Sequence, residues 1–107
     1  MGMATSQLRL AYLNAYRLDL EYKIQLITEA KMNLSKTGTE LINVGTDLDS
    51  DDPMVKKLEA RKERLNVMEK KLDMQLQQYQ NKLQMINTEY GSCEKMLNDN
   101  IQRSFKY

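Results

Sequence analysis

Residues 72–97 read LDMQLQQYQNKLQMINTEYGSCEKML. Within them Leu72, Leu76, Tyr79, Leu83, Ile86, Tyr90, Cys93 and Leu97 follow one another at alternating steps of four and three. On a helix that spacing gathers the side chains into one narrow apolar stripe, a heptad seam, which only another helix covers well. The seam belongs to one long helix expected from Pro53 to about residue 105. Upstream, Leu58 and Leu65 keep the seven-residue step, while Lys62 and Glu69 hold the alternate positions. Downstream it steps by four to Ile101 and again to Phe105. It is therefore tight in the C-terminal half and half-polar near its start.

The partner is expected in the first half of the chain. No Pro or Gly occurs between Leu8 and Leu34, and Thr5 or Ser6 is the expected N-cap. Leu13, Leu20, Ile27, Leu34, Leu41 and Leu48 stand seven apart and form the matching seam. This helix carries more apolar surface than one seam uses. Leu8, Tyr12, Ala15, Tyr22 and Leu26 make a second stripe, with Leu10, Ala11, Leu18 and Met32 partly filling the space between. A helix apolar round most of its circumference is normally buried on several sides, so contact with further chains is expected. Tyr12, Tyr16 and Tyr22 suit such contacts, offering large area with a polar tip.

Thr37-Gly38-Thr39 and Gly45 are weak points by composition, and a break or kink is expected across Gly38–Gly45. Asp49-Ser50-Asp51-Asp52-Pro53 reads as the turn. Pro53 presets φ at the first helical position, and Ser50, Asp51 and Asp52 are the cap and turn residues ahead of it. The fold read from these signals is all-α: a single antiparallel helical hairpin or coiled coil over residues 1–107. Helix 1 covers about 4–48, the turn 49–53, and helix 2 about 53–105.

Composition agrees. The chain has 107 residues, 41% hydrophobic and 29% charged, with one Pro and four Gly, which fits one long-helix domain. Residues 1–53 carry five Lys/Arg against eight Asp/Glu, and residues 54–107 eleven against seven, so the halves differ by seven charges and attract each other. A nucleic-acid binder would show a more one-sided excess. The basic run of Lys56, Lys57, Arg61, Lys62, Arg64, Lys70 and Lys71 is interspersed with Glu59, Glu63 and Glu69, as on a solvated helix face. No aromatic residue interleaves it, so no nucleic-acid partner is expected. Gln75, Gln77, Gln78, Gln80, Asn81, Gln84 and Asn87 form a neutral polar stretch between seam positions.

Nothing in the residues suggests catalysis. The chain has no His, the usual general base and commonest metal ligand, and its one cysteine, Cys93, reads as a small apolar seam residue. Asp47, Asp49 and Asp51 alternate like the opening of a calcium loop, but Asp52 stands where the glycine is required and Leu58 where the bidentate Glu is required. No metal, cofactor or catalytic residue is expected. Arg17, Asp19, Glu21 and Lys23 interrupt the apolar first helix, so no membrane span is expected, and no signal peptide is legible at the start. Gly2 and Ser6 match the short N-myristoylation pattern, which is too common to carry weight.

The turn Ser50-Asp51-Asp52-Pro53 and the ending Ile101-Gln102 … Phe105-Lys106 together resemble the needle subunits of bacterial type III secretion systems, over about half of the chain. Those are small helical hairpins with a Ser/Asp/Asn turn before Pro and a long helix ending in Ile, a polar spacer, Phe and a basic residue. The resemblance implies self-assembly into a helical filament or tube, export without a cleaved signal to the cell surface or exterior, and a secretion apparatus as a partner. It makes Ile101 and Phe105 assembly anchors. The residues expected at assembly contacts are Leu13, Tyr16, Leu20, Tyr22, Ile27, Leu34, Tyr79, Leu83, Ile86, Tyr90, Ile101, Phe105 and Tyr107. The alternative reading is a cytoplasmic coiled-coil adaptor or chaperone-like dimer.

Overall fold

Two helices account for the chain. The computed structural model describes residues 2–46, 48 and 52–105, with the side chains of Thr46 and Phe105 left aside. Helix α1 spans Met3–Thr46 and α2 spans Pro53–Phe105; among the described residues there is no strand. The fold is an all-α helical hairpin. Asp52 starts α2 as the sequence requires. Its Oδ1 accepts the Met54 N–H at 2.9 Å, and its carbonyl accepts the Val55 N–H at 2.9 Å. Two of the amides left free at a helix start are thereby satisfied. Ser50 and Asp51, expected beside it, lie outside the described residues.

Helix α1 begins earlier than its capping residues suggest. Ser6 is already inside it, donating its N–H to the Gly2 carbonyl at 3.3 Å, and is buried. The expected break across Gly38–Gly45 is absent: α1 runs through both glycines without a positive φ. The physical reason is tertiary packing: Leu34 and Leu41, half-buried on either side of Gly38, keep their places in the seam only if the helix continues. The hydroxyls of Thr37 and Thr39 bond back to the carbonyls of Asn33 and Ser35, four residues earlier, at 2.9 and 3.0 Å. Such back-bonds are what threonine makes inside a helix, and they do not themselves stabilise it.

The hairpin divides into two compact units. In the first, Met1–Ile24 with Gln78–Tyr107, the helices run antiparallel. Ser6, Leu10, Leu13, Arg17, Leu20 and Ile24 of α1 turn inward, at steps of four and three. Tyr79, Leu83, Ile86, Tyr90, Cys93 and Leu97 of α2 line the same seam, every one at least half-buried. Leu13 and Leu20 are its tightest points, at 1% and 2% exposure. The seam is polar in places. The Cys93 thiol donates to the Ser6 carbonyl at 3.5 Å, and the Arg17 guanidinium lies 4.6 Å from the centre of the Tyr90 ring. Such a cation–π contact contributes about 0.5–2 kcal/mol, depending on desolvation.

In the second unit, Gln25–Gln77, Ile27, Leu34, Leu41 and Leu48 are buried or half-buried, as their seven-residue spacing predicts. Gly38 and Gly45 hold alternate seam positions on α1. Across from them α2 contributes Val55, Leu58, Leu65, Leu72 and Leu76. Lys62 is half-buried within this row while Glu69 is exposed, and Lys31 forms an ion pair with Asp73.

Glycine inside a helix is less stable than alanine because it loses more backbone entropy on folding. A Cβ at Gly38 or Gly91 would meet no atom within 4 Å, and one at Gly45 would lie 3.9 Å from Leu58 Cδ1, an ordinary contact. Gly38→Ala and Gly91→Ala are each expected to raise the free energy of unfolding by about 0.5–1 kcal/mol. Urea denaturation followed by circular dichroism at 222 nm reads this out. A lowered midpoint would show that one of these positions needs its glycine.

Candidate functional site

A helix in a two-helix unit turns one face to its partner and leaves the opposite face to solvent. In the first unit that outward face of α1 is apolar. Leu8 is 73% exposed, Tyr12 63%, Leu18 54% and Tyr22 59%, and Ala11 and Ala15 between them are exposed too. Their spacing from Leu8 is three, four, seven, ten and fourteen residues. At 100° per residue this places them in one stripe, centred roughly opposite the seam formed by Leu13, Leu20 and Ile24. Two apolar stripes on opposite sides of one helix cannot both be covered by one partner.

Asp19 is exposed within the arc of the stripe and Lys23 lies at its edge, and the two are already paired. Asp19 accepts from the Lys23 ammonium at 2.9 Å, which raises the Lys23 pKa above its ordinary value. Lys23 also approaches the Tyr79 ring, 5.7 Å from its centre, with Lys82 at 5.8 Å from the same ring. Tyr16, half-buried on the flank of the seam, stacks on Tyr12 with ring centres 6.4 Å apart and an interplanar angle of 9°.

The outward face of α2 in the same unit differs in kind. Asn81, Gln84, Thr88, Ser92 and Lys95 are exposed along it, with Met85, 65% exposed, at its edge. Arg9 and Glu89 form an exposed ion pair at 3.0 Å on the side of the unit. An open groove of about 490 Å³ beside that pair is lined by residues including Thr5, Ser6, Cys93 and Met96. Among the described residues no group of His, Cys, Asp and Glu could hold a metal ion, and no helix is long and apolar enough to cross a membrane.

The residues expected at assembly contacts therefore fall into two sets. Leu13, Leu20 and Ile27 are buried, and Tyr16, Leu34, Tyr79, Leu83, Ile86, Tyr90 and Ile101 half-buried, within the seams of the hairpin itself. Tyr22 alone of the described ones is on the outward face. The Phe105 side chain and Tyr107 lie outside the described residues. Leu18 and Ala11, read from sequence as filler between stripes, belong to the exposed stripe, and Arg17 belongs to the seam. The step of four from Leu13 to Arg17, continuing to Leu20 and Ile24, was the signal for the latter.

Comparison with family models, with curated proteins and with solved structures finds no match to this chain. The surface itself thus carries the functional argument.

The two faces of α1 should respond differently to substitution. Leu20→Ala, in the buried seam, is expected to cost about 2–5 kcal/mol. Leu8→Ser and Tyr22→Ser, on the outward face, should each stay within about 0.5 kcal/mol at high dilution. Urea titrations at micromolar and at a hundredfold higher concentration separate the cases. Comparable losses for all three variants at high dilution would mean that the outward face is packed within the hairpin.

Proposed function

We propose that this chain is a structural subunit that self-assembles, packing the outward apolar face of α1 against other copies to build a helical filament or tube. The exposed stripe of Leu8, Tyr12, Ala15, Leu18 and Tyr22 carries the reading. Burying a large apolar side chain contributes roughly 1.5–3 kcal/mol, so a stripe of this size favours association by several kcal/mol before the entropy of association is subtracted. A second copy is the natural occupant, because the stripe supplies a helix face of matching length and chemistry. The resemblance of the turn and the C-terminal segment to secretion needle subunits supports a filament, and carries with it signal-less export and a cell-surface location.

A second reading rests on the outward face of α2. It is polar in the first unit, so the apolar stripe of α1 can pair with its own copy about a two-fold axis and stop there. Such a dimer would be a coiled-coil adaptor or chaperone-like protein.

Sedimentation velocity with negative-stain electron microscopy of the same sample distinguishes the two. Long fibres of uniform width are expected, and Leu18→Glu with Tyr22→Glu should abolish them while helical content is retained. Removing residues 101–107 should likewise leave a folded, unpolymerised species. A single species of two to four chains at the highest attainable concentration would overturn the filament and leave the adaptor.

A further inference from the structure

An apolar stripe that meets its own copy about a two-fold axis closes at two chains; growth beyond that needs a second contact joining unlike surfaces. The second unit carries one half of such a contact. Lys57, Arg61, Arg64 and Lys71 are all exposed and lie four, seven and fourteen residues along α2 from the first. At 100° per residue they fall within an arc of roughly 80°, and they extend over about 21 Å of helix. Met68, 51% exposed, stands in the same row between Arg64 and Lys71.

The acids of α2 do not neutralise this row. Glu59 and Glu63 are exposed on another face, turned roughly 120–160° away from it, and Glu69, also exposed, lies about 120° round on the seam side. Asp73 is paired with Lys31 of α1. Among the described residues none of the four cations forms an ion pair. Lys57 with Arg61, and Arg61 with Arg64, are like charges at helical neighbour spacing, an arrangement that destabilises a helix unless counter-charge is supplied from outside.

The sequence holds that counter-charge. Residues 37–55 contain Glu40, Asp47, Asp49, Asp51 and Asp52 and no Lys or Arg. Four of these carboxylates fall within six residues, and Asp52 is engaged in starting α2.

We infer that the Lys57, Arg61, Arg64 and Lys71 row of one copy receives the acidic segment 47–52 of another copy. The contact joins two different surfaces, so it repeats along a filament wherever its rotation does not close a ring, and it supplies a growth step that a two-fold contact of the α1 stripe lacks. The inference rests on the self-assembly proposed above and names a second interface for it. A nucleic-acid backbone is disfavoured as occupant because no aromatic side chain accompanies the cations for bases to stack on.

Charge exchange between full-length variants tests it. Arg61→Glu with Arg64→Glu makes one variant, and Asp49→Lys with Asp51→Lys the other. Circular dichroism should give wild-type helicity for both, since the cations are exposed and Asp52 is left in place. Each variant alone is expected to stop at a small species in sedimentation velocity. An equimolar mixture should recover the large assembly, because the acidic row of the first meets the basic segment of the second while the wild-type pair of surfaces meets the other way. If wild-type protein assembles and the Arg61→Glu, Arg64→Glu variant assembles equally well, the row is not an interface and the inference is overturned with self-assembly intact. If both variants stop but the mixture does not recover, the acidic segment is not the occupant. If wild-type protein never exceeds a dimer, the filament reading fails and this contact with it. Wild-type binding to duplex DNA or to phosphatidylserine vesicles, with assembly indifferent to the substitutions, would assign the row to that partner instead.

Discussion

Everything in this molecule follows from the fact that a heptad seam has to be covered by a second helix. A helix 53 residues long, with an apolar side chain turned to one side at every third or fourth position, exposes that stripe to water unless something lies along it. The chain supplies its own cover in α1, which lies along α2 in the hairpin so that the two stripes meet. The hairpin's buried apolar core is small for the length of its helices: Leu13, Leu20, Ile27 and Leu58 among the described residues. Half-buried seam residues supply the rest, which is how coiled coils differ from globular cores.

The same constraint leaves a remainder. Because α1 has apolar residues on two opposite sides and α2 covers one, the other faces solvent as a direct geometrical result of a two-helix fold. Neither stripe could be removed to the other side without losing the seam, since a change of one residue in register turns every side chain by about 100°. The α1 stripe is mainly apolar, with the paired Asp19 inside its arc, and the α2 row is cationic, so the hairpin offers two surfaces with different chemistry, one on each unit.

Most of the fold was legible from spacing. The steps of four and three in α2 located the seam residues, and the seven-residue series in α1 located its partner. What spacing did not reveal was continuity. Thr37-Gly38-Thr39 looks like a helix end because each residue, taken singly, prefers a turn; the half-buried seam residues Leu34 and Leu41 on either side override that preference. Arg17 escaped notice for a related reason. A charged residue at a seam position reads as surface, whereas its long stem packs inward and its guanidinium finds the Tyr90 ring. The excess apolar surface of α1 was legible as composition, but dividing it into an inner and an outer stripe required knowing which face α2 occupies.

The bond between the Cys93 thiol and the Ser6 carbonyl joins residues 87 apart in the chain, whereas Leu58 lies beside Gly45, only 13 positions away. Bringing distant segments together costs more chain entropy than joining near ones, though the cost rises only with the logarithm of the separation. The hairpin's contacts thus form a graded series, short-range beside the turn and long-range toward the termini. Once the pairs beside the turn are in place, each following seam layer closes only a short additional loop. A fold of this kind can assemble like a zip fastener, with the alignment of the distant ends inherited from the few residues that meet first.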